Sequence, residues 1–417
     1  MARIVVAGGS LPGVAAAARL ARAGHEVTLV EAGHRIGGRL ARPGVWAPVI
    51  DFPAPLRDLF RKSGRPFDAE LGRRGLRLAP APPAVHRFAD GTELPWPTDR
   101  AEQWHLLCDR YSPAVAARWR DTLDALDETW QRLRPLGLEA DPGGRPRHLR
   151  RALARAGLDP RDTVEHLARR LDHPHLSELV RDTARLTGSD PRETPAFWAS
   201  RLSVQRTFGR WQLVDAAGVP LPATALLDAL EQRLATRGVR VLTSTNVTAI
   251  RPDGVATDSG DLPADAAVSA LDPWLLRRLT KAGTPPPWAR LEAAHAPHVT
   301  VTDDDGPPEP AEEVDHTPAG PIVTYRRPDA HGTEVVVHDH TRTTPDPGAG
   351  VRWHGARTWT HLPGVRTRNP RLFTASTSGR AGNEPWAQLL TGALAAYAAH
   401  AELTGEDIRP SNRDYRP

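Results

Sequence analysis

An α/β fold with a parallel sheet is predicted for this chain of 417 residues on three observations in its first forty. An apolar strand runs into a glycine turn, an alanine-rich helix follows, and a second apolar strand ends in an acid. Ile4-Val5-Val6-Ala7 is a short run of the kind that is buried on both faces of a parallel sheet. In the turn Gly8-Gly9-Ser10-Leu11-Pro12-Gly13, Gly8 allows the sharp exit from the strand and Gly13 lets the helix pack closely on the sheet. Pro12 suits a first helical turn, where its missing N–H would be unpaired anyway. The helix, read from Val14 to Ala23, points its free N–H groups at the turn, which is a site for a pyrophosphate. Val27-Thr28-Leu29-Val30 then delivers Glu31, 18 residues after Gly13, where a carboxylate can accept hydrogen bonds from a ribose. Ser10 replaces the middle glycine of this fingerprint and adds a β-carbon where the backbone should approach phosphates. The extension Arg35-Ile36-Gly37-Gly38-Arg39 favours FAD over NAD.

Composition sets the class. Charged residues at 25% and apolar ones at 40% describe an ordinary soluble globular protein, long enough for two domains. The net charge is only +4, and Lys62 and Lys281 are the two lysines, so arginine abundance reflects coding bias more than function. No arginine stripe with interleaved aromatics occurs, which disfavours nucleic acid. Cys108 stands alone, excluding an internal disulfide and suiting a reducing cytoplasm. With a strand at the N-terminus, no signal peptide is expected, and no apolar run reaches the length of a membrane span. A peripheral membrane contact stays open, as does the oligomeric state.

Residues 45–97 read as short strands and turns, and residues 99–186 as mainly helical, with Trp104, Leu107, Cys108 and Tyr111 and then Leu123, Leu126 and Trp130 at helical spacing. Asp141-Pro142-Gly143-Gly144 breaks that region. A helix over 223–236 leads into strands at 239–242 and 246–250, a hairpin at 254–260, and a strand at 264–269 that returns to the first sheet. Further strands are expected within 285–360, a last one at 373–375, and a closing helix over 386–402.

At this point the residues resemble a known family: the phytoene desaturase-like FAD-dependent oxidoreductases of the amine oxidase superfamily. The N-terminal fingerprint with Glu31 and the 35–39 extension carries most of the likeness. Ile50-Asp51-Phe52-Pro53, Phe88-Ala89-Asp90-Gly91, Thr187 to Pro191, the strand bearing Val247, 264–273, and 372–396 with Gly382, Leu389-Leu390 and Gly392 carry the rest. The resemblance implies a Rossmann-like FAD-binding domain of the glutathione-reductase type, from residues 1–56, 203–275 and 363–406. An inserted α+β substrate domain would comprise 57–202 and 276–362, and 407–417 a mobile tail. It implies FAD as cofactor and oxidation of an apolar small molecule such as an isoprenoid or polyene by hydride transfer. Gly8, Gly9, Ser10, Gly13, Glu31, Gly37, Gly38, Arg39, Val247 and Gly382 are the expected cofactor residues.

The departures gather at the flavin ring. Ser376, Arg380-Ala381, Glu384 and Pro53 stand where the family has Gly, His-Pro, Gly and Gly, and Asp215 to Gly218 lacks its glycine-rich turn. A carboxylate at Glu384 would oppose the negative charge that reduced flavin develops. Glu384 and Arg380 are therefore the catalytic candidates, with an ion pair beside a helix start as the plainer reading. A second function stays open: a flavin-fold protein that has lost redox use of FAD, serving as a cofactor-free isomerase or cyclase, or as a binding protein like the Rab GDP-dissociation inhibitors. A nicotinamide dehydrogenase would leave Arg35 to Arg39 and the Val247 strand without a role. His338 and His340 share one strand face and could meet a metal with His316, His331 or His354, but a polar strand face explains them as well, and no metal site is assigned. Asp303 to Asp305 with Glu309, Glu312 and Glu313 read as a solvated loop.

Overall fold

The computed structural model describes residues 1–280, 290–304, 311–329 and 332–410. Lys281, Asp305, Glu309, His331 and residues 411–417 of the expected tail lie outside the described residues. The strands Arg3–Ala7 and Glu26–Val30 pair in a five-stranded sheet in which every pairing is parallel. Across it the order is 372–374, 266–269, 3–7, 26–30, 240–242. The strand expected to return near residue 264 thus lands beside the first one, with Ile4 opposite Ala266 and Ala7 opposite Ser269. All four of its residues are buried, as the interior of a parallel sheet requires.

The helix Leu11–Arg22 covers this sheet with a fully buried run of alanines, Ala15 to Ala18. The closing helix Pro385–Thr404 packs on it. At their closest, a β-carbon on Gly392 would stand 2.3 Å from the Pro12 carbonyl oxygen, so the two helices touch backbone to backbone. Larger side chains would push them apart.

The structure corrects residues 45–97. Besides short strands they hold two helices, Ala54–Ser63 and Phe67–Gly72, whose Leu56, Leu59, Phe60, Phe67 and Leu71 join the core of the parallel sheet. Prolines at 53, 55 and 66 obscured them in the sequence. Each sits at or before a first helical turn, where proline does no harm.

The second region centres on a six-stranded sheet of order 295–304, 333–345, 320–328, 311–317, 84–87, 93–96. Its one parallel pair, 311–317 with 84–87, sets His86 beside Val314. The helices expected within 99–186 form over 100–185 and pack against it, the longest being Pro113–Leu133, capped by the Ser112 hydroxyl. That helix buries Trp119, Leu123, Leu126 and Trp130 along one face. Among the described residues no helix is long and apolar enough to cross a membrane.

Candidate functional site

The nucleotide end is built by backbone. Gly8, at φ +101°, donates its N–H to the Val30 carbonyl at 2.8 Å and so turns the chain at the strand tips. A β-carbon on Gly13 would lie 2.1 Å from the Gly8 oxygen, so only glycine lets the helix begin there. Glu31 accepts the Gly9 and Gly33 N–H groups, each at 2.7 Å, which fixes its carboxylate at the end of the second strand. The glycine pair docks against the turn, with Gly37 N–H donating to the Gly9 carbonyl at 2.7 Å. Ser10 is accommodated because the residue facing it is Gly38: a β-carbon there would come within 3.0 Å of the Ser10 β-carbon. The Ser10 hydroxyl meanwhile donates to the Ala270 carbonyl at 3.1 Å. Val247 packs against the apolar cluster that includes Val30. An uncapped helix N-terminus, close-approach glycines and a fixed carboxylate meet at the strand tips, a donor set whose chemistry suits an adenosine diphosphate half.

At the other end the structure separates the two catalytic candidates. Arg380 turns away from the cavity and donates to Asp141 at 2.6 Å and to the Leu362 carbonyl at 3.0 Å, with Trp359 beneath it at 5.7 Å. Asp141 also accepts the Val365 N–H at 2.7 Å. Glu384 folds back over Gly382, which has φ +118°, and accepts the Arg201 Nε–H at 2.9 Å. The ion pair expected between Arg380 and Glu384 is therefore not formed; each finds a different partner from a distant segment. Arg201 also donates to the Ala381 carbonyl at 2.8 Å and lies 3.5 Å over the Trp198 ring, with Trp386 and Trp130 at 5.5 and 5.8 Å. The carboxylate that the sequence sets against the flavin ring is thus neutralised by a tryptophan-caged guanidinium. Nothing in the sequence marked Arg201, because its partner is 183 residues away.

A cavity of roughly 390 Å³ opens from this loop. Arg39, Asn383, Glu384 and Trp386 border it on the parallel-sheet side, and Trp96, Trp119 and His86 on the far side. Arg39 is held by an ion pair to Asp346. Asp51 lies deep in the wall, where burial pushes its pKa up and Arg210 partly offsets this; it accepts the Gln205 amide at 3.1 Å. Glu312 pairs with Arg210 and is likewise raised by burial. Its neighbour Glu313 pairs with Arg87 and Arg326. The expectation of a solvated acidic loop therefore fails for these two residues, which belong to the strand Ala311–Thr317. Their partners come from other elements, which is why the run looked like loop.

His338 and His340 do share the inward face of their strand. His338 donates its Nε2–H to the Gly44 carbonyl at 2.6 Å, and burial holds His340 down to about 4. Among the described residues no three His, Cys, Asp or Glu side chains are placed to hold a metal. His316 sits instead beside His86, and His354 between Glu193 and Glu292.

A family model described as FAD dependent oxidoreductase matches residues 3–393. The chain is similar to hydroxyneurosporene desaturase of Cereibacter sphaeroides, 40% identical over 105 residues, which is 23% of this chain and 20% of that protein. It is 32% identical over 113 residues to 4,4'-diapophytoene desaturase (4,4'-diaponeurosporene-forming) of Staphylococcus aureus, covering 25% of this chain and 22% of the relative. The matched stretch spans about a fifth of these curated relatives' length. In fold it is similar to an oxidoreductase from Methanosarcina mazei, with TM-score 0.65 and 14% identity over 94% of this chain and 99% of that one. Cyclohexylamine oxidase from Brevibacterium oxydans gives TM-score 0.62 and 16% identity over 96% and 99%.

Proposed function

The chain belongs to the FAD dependent oxidoreductase family, and from that premise we propose that it binds FAD across the parallel sheet and oxidises a mainly apolar small molecule in the cavity. The oxidation would be a desaturation, a dehydrogenation or an oxidative isomerisation. The observation that carries this reading is the continuity of the cavity, which runs from the flavin-side loop at Asn383 and Glu384 to Trp96 on the second sheet and Trp119 on the helix packed against it. When bound, FAD supplies an acceptor for a hydride. The glycines of the turn and the Glu31 carboxylate would hold its pyrophosphate and ribose, and Arg39 and the 376–384 loop would border its ring. Trp46, Trp96, Trp119 and Trp386 would hold the apolar body of the substrate and exclude water from it. Pairing of Glu384 with Arg201 keeps a free negative charge away from the place where electrons must arrive. That pairing removes the physical objection to redox use raised by a carboxylate in the ring-side loop.

Purified protein is expected to be yellow and to release FAD on denaturation. Anaerobic addition of a panel of polyenes, terpenoid alcohols and cyclic amines should bleach the flavin with at least one member. Gly13→Asp should strip the cofactor, since a carboxylate would meet both the Gly8 oxygen and the phosphates. Colourless protein that takes up no added FAD would overturn the assignment and favour the non-redox flavin-fold reading.

A further inference from the structure

We propose that His86 is the catalytic base that takes the substrate's proton, with His316 and Asp182 as positioning residues that aim its lone pair into the cavity. The inference rests on the oxidation proposed above. Forming a double bond by dehydrogenation removes one hydride and one proton. The hydride half belongs to the cofactor; the proton half needs a base in the cavity wall. The second C–H, N–H or O–H bond breaks toward His86 Nε2, which becomes N–H, while the electron pair of that bond becomes the new π bond.

The tautomer follows from the chain of contacts. Arg185 donates to Asp182 Oδ1 at 2.9 Å, so Asp182 is held as a carboxylate. His316 Nδ1 stands 2.8 Å from Asp182 Oδ2, off the line of a well-formed hydrogen bond but too close for a lone pair to face the oxygen. Nδ1 of His316 therefore carries the proton, and its Nε2 accepts from His86 Nδ1 at 2.8 Å. That leaves His86 Nε2 with its lone pair. This nitrogen has no hydrogen-bond partner among the described residues, and part of the ring is open to the cavity it lines. Phe88 stacks on His316 at 4.5 Å and 3°, and Trp96 stands edge-on to His86 at 6.0 Å, so neither ring is free to flip.

The charged and titratable groups facing His86 are His316, Asp182 with Arg185, and Arg210 with Glu312. Burial first, then His316 and Arg210, hold its pKa well below the ordinary value, so the ring is neutral near pH 7. Of the other cavity bases, Glu312 is engaged by Arg210, Asp51 by Gln205, His338 by Gly44 and His295 Nδ1 by Thr343, while His340, whose Nδ1 has no partner, is buried in the wall.

The test begins with diethyl pyrocarbonate, which acylates neutral imidazole, mapped by mass spectrometry on the FAD-loaded protein. Free N-acetylhistidine in the same reaction is the reference: between about pH 7 and about pH 5.5 it should slow about eightfold, as an ordinary imidazole does. His86 should keep its rate. Asp182→Asn should slow His86 about tenfold or more: Arg185 claims the amide oxygen, the amide N–H₂ faces His316, and each imidazole shifts its proton, closing Nε2 of His86. Asp182→Glu should restore most of the rate. In flavin reduction by an active panel member, His86→Gln should be slower by about 10²–10⁴ with flavin content unchanged, and Asp182→Asn should change the pH profile as well as the rate. An unreactive His86, a His86 that follows the free N-acetylhistidine reference with pH, or wild-type flavin reduction in His86→Gln would each overturn the inference alone. Flavin reduction by no panel member would overturn the proposed function beneath it.

Discussion

Removing Arg201 isolates one energetic element of the site. Its side chain and that of Glu384 are 12% and 16% exposed, so the pair lies in a poorly solvated place. Arg201→Ala leaves the Glu384 carboxylate buried without its partner, which costs about 3–5 kcal/mol. It also forfeits the stacking of the guanidinium 3.5 Å over Trp198, about 0.5–2 kcal/mol more. Glu384→Gln removes the charge and keeps the shape. Combined with Arg201→Ala it should recover about 2 kcal/mol, a coupling within the usual range for residues in contact. The assay is denaturant unfolding at fixed saturating FAD, followed by tryptophan fluorescence, because Trp130, Trp198 and Trp386 surround the guanidinium. A chain with several separate apolar clusters need not unfold in one step, so the comparison is made on the transition that changes this fluorescence. A loss below about 1 kcal/mol for Arg201→Ala, or a double variant no more stable than that single one, would refute the claim that the two charges compensate each other.

The remaining predictions are more compact. Arg380→Ala and Asp141→Ala should each lower stability by about 3–5 kcal/mol, since each leaves its partner buried and unpaired. Arg380→Ala should nevertheless keep the rate of flavin reduction per bound flavin, because Arg380 faces away from the cavity; a large rate loss at unchanged flavin content would contradict that placement. Acid should destabilise the protein through its buried imidazoles. His25, His86, His338 and His340 are all held below 6.5 in the folded state, burial being the first cause of each. The unfolded chain then binds more protons, so stability present above pH 6.5 is lost as pH falls below it. For His340, at about 4 when folded, this loss is about 2 kcal/mol at pH 5. His340→Phe should flatten that slope in melting curves between about pH 7 and pH 5, and an unchanged slope would exclude His340 as its source. Gly392→Leu should separate the closing helix from the first helix and lower both FAD retention and melting temperature. Wild-type values of both would show that the helices tolerate a wider spacing than their backbone contact implies.

Local chemistry made the cofactor half of the fold legible. The Gly8 to Gly13 turn, the alanine helix, Glu31 and the Gly37-Gly38 pair act within about forty residues, and each depends on backbone freedom or on strand and helix period. The return of residues 264–269 to the first sheet could be read because its apolar run has the burial pattern of a parallel strand. The helices at 54–72 escaped notice because prolines mark helix starts as readily as loops. The chemistry of the site was the part that sequence could not supply. Glu384 and Arg380 were found by their place in the ring-side loop, yet their charge state is set by Arg201 and Asp141. His86, His316 and Asp182 come from two strands and a helix separated by up to 230 residues. An ion pair or an imidazole relay is a relation between side chains, and its energy depends on distance and on exclusion of water. Sequence fixes neither of those; packing of the two sheets around one cavity fixes both. The amino-acid order by itself points to where a dinucleotide would lie, and the tertiary structure alone decided which charges meet at the loop expected to face its ring.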